Sequence, residues 1–588
     1  GLKSFTDLCT RCQARPPRCN GSHYRCFNML LAAHDGTLEC DYLILGCGVE
    51  QLAFADSLLV EDKHCTVIFT DVSAQPGGHW NNAAPFAKLD HPSTLYGVGS
   101  WPLDTPHAVR RDEILHYCRT VMQRLLQRGR VRYFPQTMFD GRKTLSSIVD
   151  SDWARNVVVR RKIVDSFLGP MSVGVSKAPF HIAADALVIT PEKLPLIAAS
   201  HTSHAVLGSS RAAVECVIWL LQHGVPPESV HWVIAEDMWF VSYESMQPDK
   251  YVNTAKIFWN SFAECKSLPE LEFALEDAGI RYRVDSAHRP TAFHGVSVTK
   301  QEITQLRRIS QNIVRKGRVS EVMVDRLVFG SEEEVLTGTG TLYIDCTEDW
   351  VSQAPSPVQI YDTNHITMQL VREIADNGPP CSCFSASMIG YLEAIYPTEE
   401  SKKNLLATPM LPPRSVVEAL RNELCSMKAR PNIRANRAVA NFLVLGRPGR
   451  LSSLRTADLR QLFKDRGDED ERRQVMANID RLTQDSFAKL HPSPSASTDA
   501  DADACQEGAL EASPCASTEA EFDLSPQALE SGRSAGSLTL DGTPYNLDSA
   551  SDLMRQFSGQ SMASSAPFDF DELELLEQRQ ILRAGLAS

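Results

Sequence analysis

The chain has 588 residues, too many for one hydrophobic core, so we expect two to four domains. Its composition, 43% hydrophobic and 22% charged, is that of an ordinary globular protein. No apolar run reaches the ~18 residues of a membrane span, so we expect none. The net charge of −14 lies almost wholly in residues 491–588, where 17 Asp and Glu oppose 4 Arg, which leaves about −1 for the rest. With no basic groove evident, we expect no nucleic-acid partner.

The 16 cysteines are scattered, and several stand inside apolar segments. This usage favours reduced thiols and a cytoplasmic location over a disulfide framework. In the irregular, Cys-rich extension of residues 1–39, the pairs Cys9–Cys12 and His23–Cys26 have zinc-like spacing. So many cysteines produce such spacing by chance, and we assign no metal. Because the chain begins with glycine, we expect a fragment or a processed form.

The first readable unit is a strand, a glycine turn and a helix, beginning at residue 41. An apolar run is followed by Gly46-Cys47-Gly48 and then by a helical pattern. Glycine at 46 permits the tight turn, and glycine at 48 lets a pyrophosphate approach backbone N–H groups at the helix start. A second strand ends at Asp71, about 20 residues beyond the turn, where a dinucleotide fold places the acid that binds ribose hydroxyls.

One position departs from the dinucleotide fingerprint, because Gln51 replaces its third glycine. That glycine normally allows close packing of helix on strand. We therefore expect the Gln51 side chain to point away from the turn or to push the helix outward. The alternative is a dinucleotide fold that has lost its cofactor.

A pair of glycines follows the acid, in Gly77-Gly78-His79-Trp80. Two consecutive glycines leave room for a flat ring system, and Trp80 is expected to pack beside it. Alone, the pair also suits an ordinary turn. In this place, it resembles the Gly-Gly-x-Trp element of flavin-containing and Baeyer–Villiger monooxygenases. Residues 85–98 extend the likeness, especially to a poorly characterised group of bacterial FAD/NAD(P)-binding proteins.

A second strand–turn–helix unit covers residues 204–223 and resembles the NAD(P)H-binding turn of that family. Gly208 keeps the first fingerprint glycine, while Ser210 stands at the second position. Arg211 at the helix start either pairs with a pyrophosphate or 2′-phosphate, or is a solvated helix residue. Glu236, after the return strand, would accept from a free ribose 2′-hydroxyl and favour NADH. Because the resemblance implies NADPH instead, the choice between NADH and NADPH stays open.

The resemblance also implies an α/β fold with two Rossmann-like dinucleotide-binding domains, the NAD(P)-binding one inserted in the FAD-binding one. Strands at 186–190 and 341–347 would form the two crossovers, each ending in Thr, and Thr347 counts among the cofactor-binding residues. The expected domains are an extension 1–39, an FAD-binding domain 40–198 and 339–430, an inserted NAD(P)-binding domain 199–338, a helical extension 431–490 and a tail 491–588.

The C-terminal region divides into an amphipathic part and a tail. Residues 455–490 predict one or two helices packed on the core. Residues 491–565 hold too few large apolar side chains to offset ordering entropy, and we expect disorder. Residues 568–576 alternate acidic and apolar residues, which suits either docking in a protein partner's groove or packing on the chain's own core.

Together these features predict an FAD-dependent, NAD(P)H-using oxidoreductase of monooxygenase type that acts on a small molecule, with O2 as a candidate acceptor. FAD would contact Gly46, Gly48, Asp71 and residues 77–80. No Cys-x-x-Cys stands beside the first turn, and the Phe-x-Gly-x-x-x-His signature of the monooxygenases is missing, so no catalytic residue is named. His79 is nearest the flavin by position, but a structural role is favoured. The alternative is a catalytically weakened two-Rossmann scaffold that serves binding or regulation.

Overall fold

A computed structural model of the chain describes residues 36–105, 107–166, 178–293, 295–347, 358–371, 381–436, 438–439, 442 and 469–490. The zinc-like pairs of the N-terminal extension and the acidic tail lie outside these residues. Among the described helices, none has the length and apolar character needed to cross a membrane.

The elements alternate between strand and helix, as expected for an α/β fold. The first part of the chain forms β1 Leu38–Leu45, α1 Val49–Glu61, β2 Val67–Asp71, α2 Arg111–Gln127, β3 Val131–Pro135, β4 Thr137–Phe139, β5 Thr144–Ser147 and β6 Ala154–Ser166. The middle part forms β7 His181–Ile182, β8 Val188–Ile189, α3 Leu194–Ile197, β9 Ser203–Leu207, α4 Arg211–Gln222, β10 Val230–Val233, β11 Phe240–Ser242, α5 Pro248–Glu264, α6 Leu268–Asp277, β12 Arg281–Tyr282, β13 Ser297–Val298, α7 Lys300–Arg307, β14 Ile313–Val314, β15 Val319–Val322, β16 Arg326–Phe329, β17 Glu334–Leu336 and β18 Thr341–Asp345. The last part forms β19 His365–Met368, α8 Ser382–Ile395, α9 Glu400–Leu406, α10 Val416–Ala435 and α11 Glu469–Leu490.

The first sheet has the strand order β3-β2-β1-β6-β5-β4, and β19 pairs with β6. Its β3-β2-β1-β6 part and the β6–β19 pair are parallel, whereas β4, β5 and β6 form an antiparallel meander. Central strand β1 is buried on both faces, as parallel strands usually are. Helices α1 and α8 pack closely because Gly390 has no side chain; a Cβ there would lie 2.3 Å from the Phe54 carbonyl oxygen.

The second sheet is wholly parallel, with the order β14-β10-β9-β18-β8. All its strands fall between β6 and β19, which share the first sheet. The second Rossmann-like domain is therefore inserted in the first, and the predicted fold class is confirmed.

The two crossover strands lie in the second sheet. β8 pairs with β18, and β18 pairs along its whole length with β9. The sequence identifies these buried strands but not their neighbours, and we had expected both in the first domain. Sheet membership leads us to propose limits for the inserted domain near residues 178 and 347, outside the expected 199 and 338.

A helical lobe occupies the middle of the inserted domain. It contains helices α5 to α7, and β12 and β13 pair there with β11 in a small third sheet. Helix α11 packs against this lobe through Val475 and Ile479, as the amphipathic pattern predicts. Helix α5 contributes Tyr251 to the core of the first domain and Phe258 to the core of the lobe.

Candidate functional site

The first glycine turn lies at the carboxyl end of β1. Gly46 has φ +91°, a conformation that favours glycine, and its N–H donates to the Thr70 carbonyl at 2.7 Å. Helix α1 begins at Val49 with Gly48 as its N-cap. Strand, turn and helix thus have the predicted arrangement, at the end of the sheet where open α/β folds bind ligands.

The side chain of Gln51 covers this turn. Its Oε1 accepts a hydrogen bond from the Gly48 N–H at 3.0 Å, and the residue is 7% exposed. A Cβ on Gly48 would lie 2.8 Å from that Oε1, and one on Gly46 would lie 3.5 Å from Nε2. Of the two alternatives expected for this position, a side chain that points away from the turn or a helix pushed outward, the first is therefore wrong. At the third helical position, its amide can satisfy an otherwise unpaired N–H of the helix start.

The Gly77–Gly78 pair packs directly on the first turn. The Gly77 N–H donates to the Cys47 carbonyl at 2.8 Å, and both glycines have positive φ, +143° and +53°. A Cβ on Gly78 would lie 2.9 Å from the Gly48 Cα. The structure thus brings four of the predicted site glycines onto one surface, with only backbone between the two turns.

The two residues after this pair point in different directions. His79 is exposed, whereas Trp80 is buried and donates from Nε1 to the Tyr96 hydroxyl at 2.6 Å. The Trp80 carbonyl accepts from Arg111 Nε at 3.0 Å. Trp80 therefore serves as part of the wall behind the glycine surface.

Asp71 ends β2 beside the first turn and is buried. Its Oδ1 accepts from the Ser73 N–H at 2.6 Å. Burial raises the pKa of this carboxyl, against the lowering effect of hydrogen bonds from the Ser73 and Cys47 backbones. Its position suits a ribose-binding acid, although part of its hydrogen-bonding capacity is used within the chain.

The second turn has the same form and is closed by the strand that leaves the inserted domain. Gly208 has φ +106°, and a Cβ there would lie 2.4 Å from the Cys346 carbonyl oxygen. Ser210 Oγ donates to that carbonyl at 3.0 Å and accepts from the Ala213 N–H as the N-cap of α4. Ser210 therefore braces the turn where the fingerprint has glycine.

Two further predicted residues flank this second turn. Thr347 donates from its N–H and its hydroxyl to Asp345 Oδ1, at 3.0 and 2.5 Å. Glu236 is exposed beyond β10 and accepts from Thr291 Oγ1 at 3.3 Å. Glu236 is accessible to a ligand, whereas the Thr347 hydroxyl is engaged within the chain.

Arg211 is committed to protein partners. Its Nη2 lies 2.9 Å from Glu302 Oε1, its Nε lies 3.2 Å from Glu215 Oε1, and its Nη1 donates to the Ser297 carbonyl at 2.8 Å. Only 18% of the side chain is exposed. The two carboxylates raise the pKa of the guanidinium against the effect of burial. The structure thus does not direct this arginine toward a phosphate.

The loop at residues 88–91 forms hydrogen bonds with the inserted domain, and no role for its residues could be predicted from the sequence. The Lys88 N–H donates to Glu215 Oε1 at 2.9 Å, and Ser297 Oγ donates to the Asp90 carbonyl. Asp90 Oδ1 also lies 2.8 Å from His91 Nδ1. The only signal was the placement of these residues in the stretch that resembles the monooxygenases.

The two sheets, with glycine turns at the carboxyl ends of the parallel strands β1 and β9, define a protein with two Rossmann-like domains. No family model matches the chain. It is 31% identical over 393 residues to uncharacterized protein Rv2000 of Mycobacterium tuberculosis (strain ATCC 25618 / H37Rv), across 64% of this chain and 71% of that protein. Uncharacterized protein Mb2023 of Mycobacterium bovis matches to the same extent. The chain belongs to the family of these mycobacterial proteins.

Solved structures of similar architecture include cyclohexanone monooxygenase with bound cyclohexanone, at 13% identity and a TM-score of 0.37, covering 63% of this chain and 91% of that one. Ornithine N-hydroxylase of Kutzneria sp. 744 covers 52% and 80% at 16% identity, with a TM-score of 0.34. Bacillithiol disulfide reductase of Staphylococcus aureus covers 61% and 98% at 12% identity, with a TM-score of 0.35. At TM-scores this low, the solved structures indicate nothing about the activity of this chain.

Proposed function

We propose that this protein is an FAD-dependent, NAD(P)H-using oxidoreductase of monooxygenase type that acts on a small molecule, with O2 as the candidate electron acceptor. The observation that carries the proposal is the contact between Gly48 and Gly78, where a Cβ on Gly78 would lie 2.9 Å from the Gly48 Cα. Two glycine turns packed together at the carboxyl end of β1 form a surface with no side chains of their own, and a diphosphate and a flat ring need such a surface to come close to the backbone.

The backbone of this site fits FAD, and one side chain interferes. Asp71 stands at the end of the neighbouring strand, where it can accept from a ribose. The Gly48 N–H, however, already donates to Gln51 Oε1. Binding a diphosphate there requires this amide to turn aside, which a side-chain rotation can do without moving backbone.

In this proposal, NAD(P)H binds at the Gly208 turn of the inserted domain and FAD at the Gly46–Gly48 turn. Bound FAD would supply the redox chemistry, hydride acceptance from NAD(P)H and delivery of electrons onward. The chain's residues would position the two cofactors: Asp71 at a ribose of FAD, and Glu236 at the ribose 2′-hydroxyl that distinguishes NADH from NADPH. Cys40, Cys47, Cys65 and Cys118 are buried free thiols, which supports a reducing compartment such as the cytoplasm.

The test is a titration of the purified full chain with FAD, followed by flavin absorbance, and then anaerobic bleaching with NADH and with NADPH. Gly48→Ala should weaken FAD binding by about tenfold or more, ~1.4 kcal/mol, because its Cβ projects into the diphosphate position. It should still fold, because Gly48 has φ −77° and only a side-chain amide would be displaced. Gly340→Ala is the matched control, since its Cβ would lie 3.6 Å from its nearest neighbour, Thr202 Oγ1. Unchanged FAD affinity in Gly48→Ala would contradict the site.

A second candidate is a non-enzymatic scaffold that keeps the fold without the cofactor. The Gln51 side chain over the first turn favours it, as does the commitment of Arg211 to carboxylates. A colourless protein that takes up no FAD and is not stabilised by NADH or NADPH would support this candidate.

A further inference from the structure

The amide of Gln51 holds the place that the proposed function gives to a diphosphate oxygen. Its Oε1 accepts from the Gly48 N–H at 3.0 Å, along the direction in which this N–H would meet a phosphate. With the residue 7% exposed, the amide lies over the turn and out of bulk solvent. The Gly48 N–H, at the N-terminal end of a helix dipole, is therefore already paired when no cofactor is bound.

The neighbouring backbone groups are also paired within the chain. The Gly46 N–H donates to the Thr70 carbonyl, and the Cys47 carbonyl accepts from the Gly77 N–H, each bond being part of the framework that holds the turn. These bonds join main chain to main chain and cannot rotate away. The Gln51 amide is the movable partner in this set.

The Gln51 amide has few hydrogen bonds to hold it in place. Within the described part of the chain, its Nε2 makes no hydrogen bond, so a single bond from Oε1 fastens it to the turn. One hydrogen bond of this kind contributes only a modest net stability, because its loss is offset by a bond to water or to a ligand. Such a contact can be exchanged for a stronger, charged acceptor.

We propose that Gln51 is the residue that sets affinity for the diphosphate of the flavin cofactor, acting as an internal acceptor that must be exchanged for the ligand's oxygen at the Gly48 N–H. The inference rests on the proposed function. It explains how the fingerprint tolerates glutamine at its third position: the side chain completes the helix start in the cofactor-free protein. Cofactor binding is then an exchange of one acceptor for another.

The exchange predicts that removing the Gln51 amide destabilises the cofactor-free protein and strengthens the binding of FAD. Gln51→Ala removes the competing acceptor and keeps a good helix former. FAD should bind about 2- to 13-fold more tightly, the range that corresponds to the net value of one hydrogen bond. Gln51→Glu keeps an acceptor of the same shape and adds negative charge, so FAD should bind more weakly than in the wild type.

The experiment is FAD titration of the wild type, Gln51→Ala and Gln51→Glu, with chemical denaturation of each protein before FAD is added. Support requires tighter FAD binding in Gln51→Ala together with lower stability of that variant without FAD. Equal or weaker FAD binding in Gln51→Ala overturns the inference and leaves the proposed function standing. If neither the wild type nor Gln51→Ala binds FAD, the proposed function fails and the inference fails with it. Denaturation shows separately whether each variant is folded.

Discussion

Replacing Arg211 separates a structural role from the phosphate-binding role that the sequence allowed. The guanidinium makes close contacts with Glu302, Glu215 and the Ser297 carbonyl, at 2.8 to 3.2 Å. Arg211→Met keeps the apolar stem and removes the charge. Two carboxylates that are 17% and 9% exposed would then lose their shared cation.

Breaking a buried ion pair by removing one partner costs about 3–5 kcal/mol. Since 18% of the Arg211 side chain still reaches solvent, we expect the lower end, about 3 kcal/mol, as a loss in the free energy of unfolding. Urea denaturation followed by circular dichroism measures it. The affinity for NADPH, measured on the folded fraction, should change little, because the wild-type side chain does not face the glycine turn.

Arg326→Met is the matched control, because Arg326 also makes two ion pairs in the inserted domain, with Asp325 and Glu334, each at 3.0 Å. Its partners are 31% and 50% exposed, so its loss should change the free energy of unfolding much less than the loss of Arg211. If Arg211→Met were as stable as Arg326→Met and bound NADPH markedly more weakly, our reasoning would be refuted and the phosphate role restored.

Three other changes test the fold around the site. Gly390→Ala places a Cβ 2.3 Å from the Phe54 carbonyl oxygen and should destabilise the protein by about 1–3 kcal/mol; a thermal melt no lower than wild type would contradict the close packing of α1 on α8. Glu393→Gln removes the charge that the fully buried Lys403 contacts and should cost about 3 kcal/mol or more in urea denaturation, whereas a loss under about 1 kcal/mol would speak against a buried pair. Hydrogen bonds from an arginine and a threonine lower the pKa of Asp41 to about 2 despite partial burial. The folded state therefore binds this proton less readily than the unfolded state, so its contribution is complete above about pH 4 and is lost as the pH falls toward 2. Denaturation midpoints across this range should fall less steeply in Asp41→Asn, and equal slopes would argue against it.

The local elements around both turns were readable because their signals are short-range. Positive φ at Gly46 and Gly208 follows from the need to turn sharply from strand to helix, and apolar runs mark the adjoining strands. Asp71 ends β2, as its spacing predicts. Fold class and the glycine surface could thus be predicted from the sequence.

Contacts between distant residues could not be read in this way. The Arg211 partner Glu302 stands on another helix, and nothing in either local pattern links the two. The sheet that receives β18 depends on which buried strands lie beside it, and an apolar strand does not specify its neighbour. The direction of the Gln51 side chain is a rotamer choice, decided by a Gly48 N–H that would otherwise be unpaired.

Helix α5 belongs by sequence to the inserted domain, yet it reaches two cores. Tyr251 near its start packs in the core of the first domain, and Phe258, two turns on, packs in the helical lobe. A helix anchored at both ends limits how far the helical lobe can move relative to the first domain. Any opening between the two must therefore hinge outside this helix or separate one of its ends from its core.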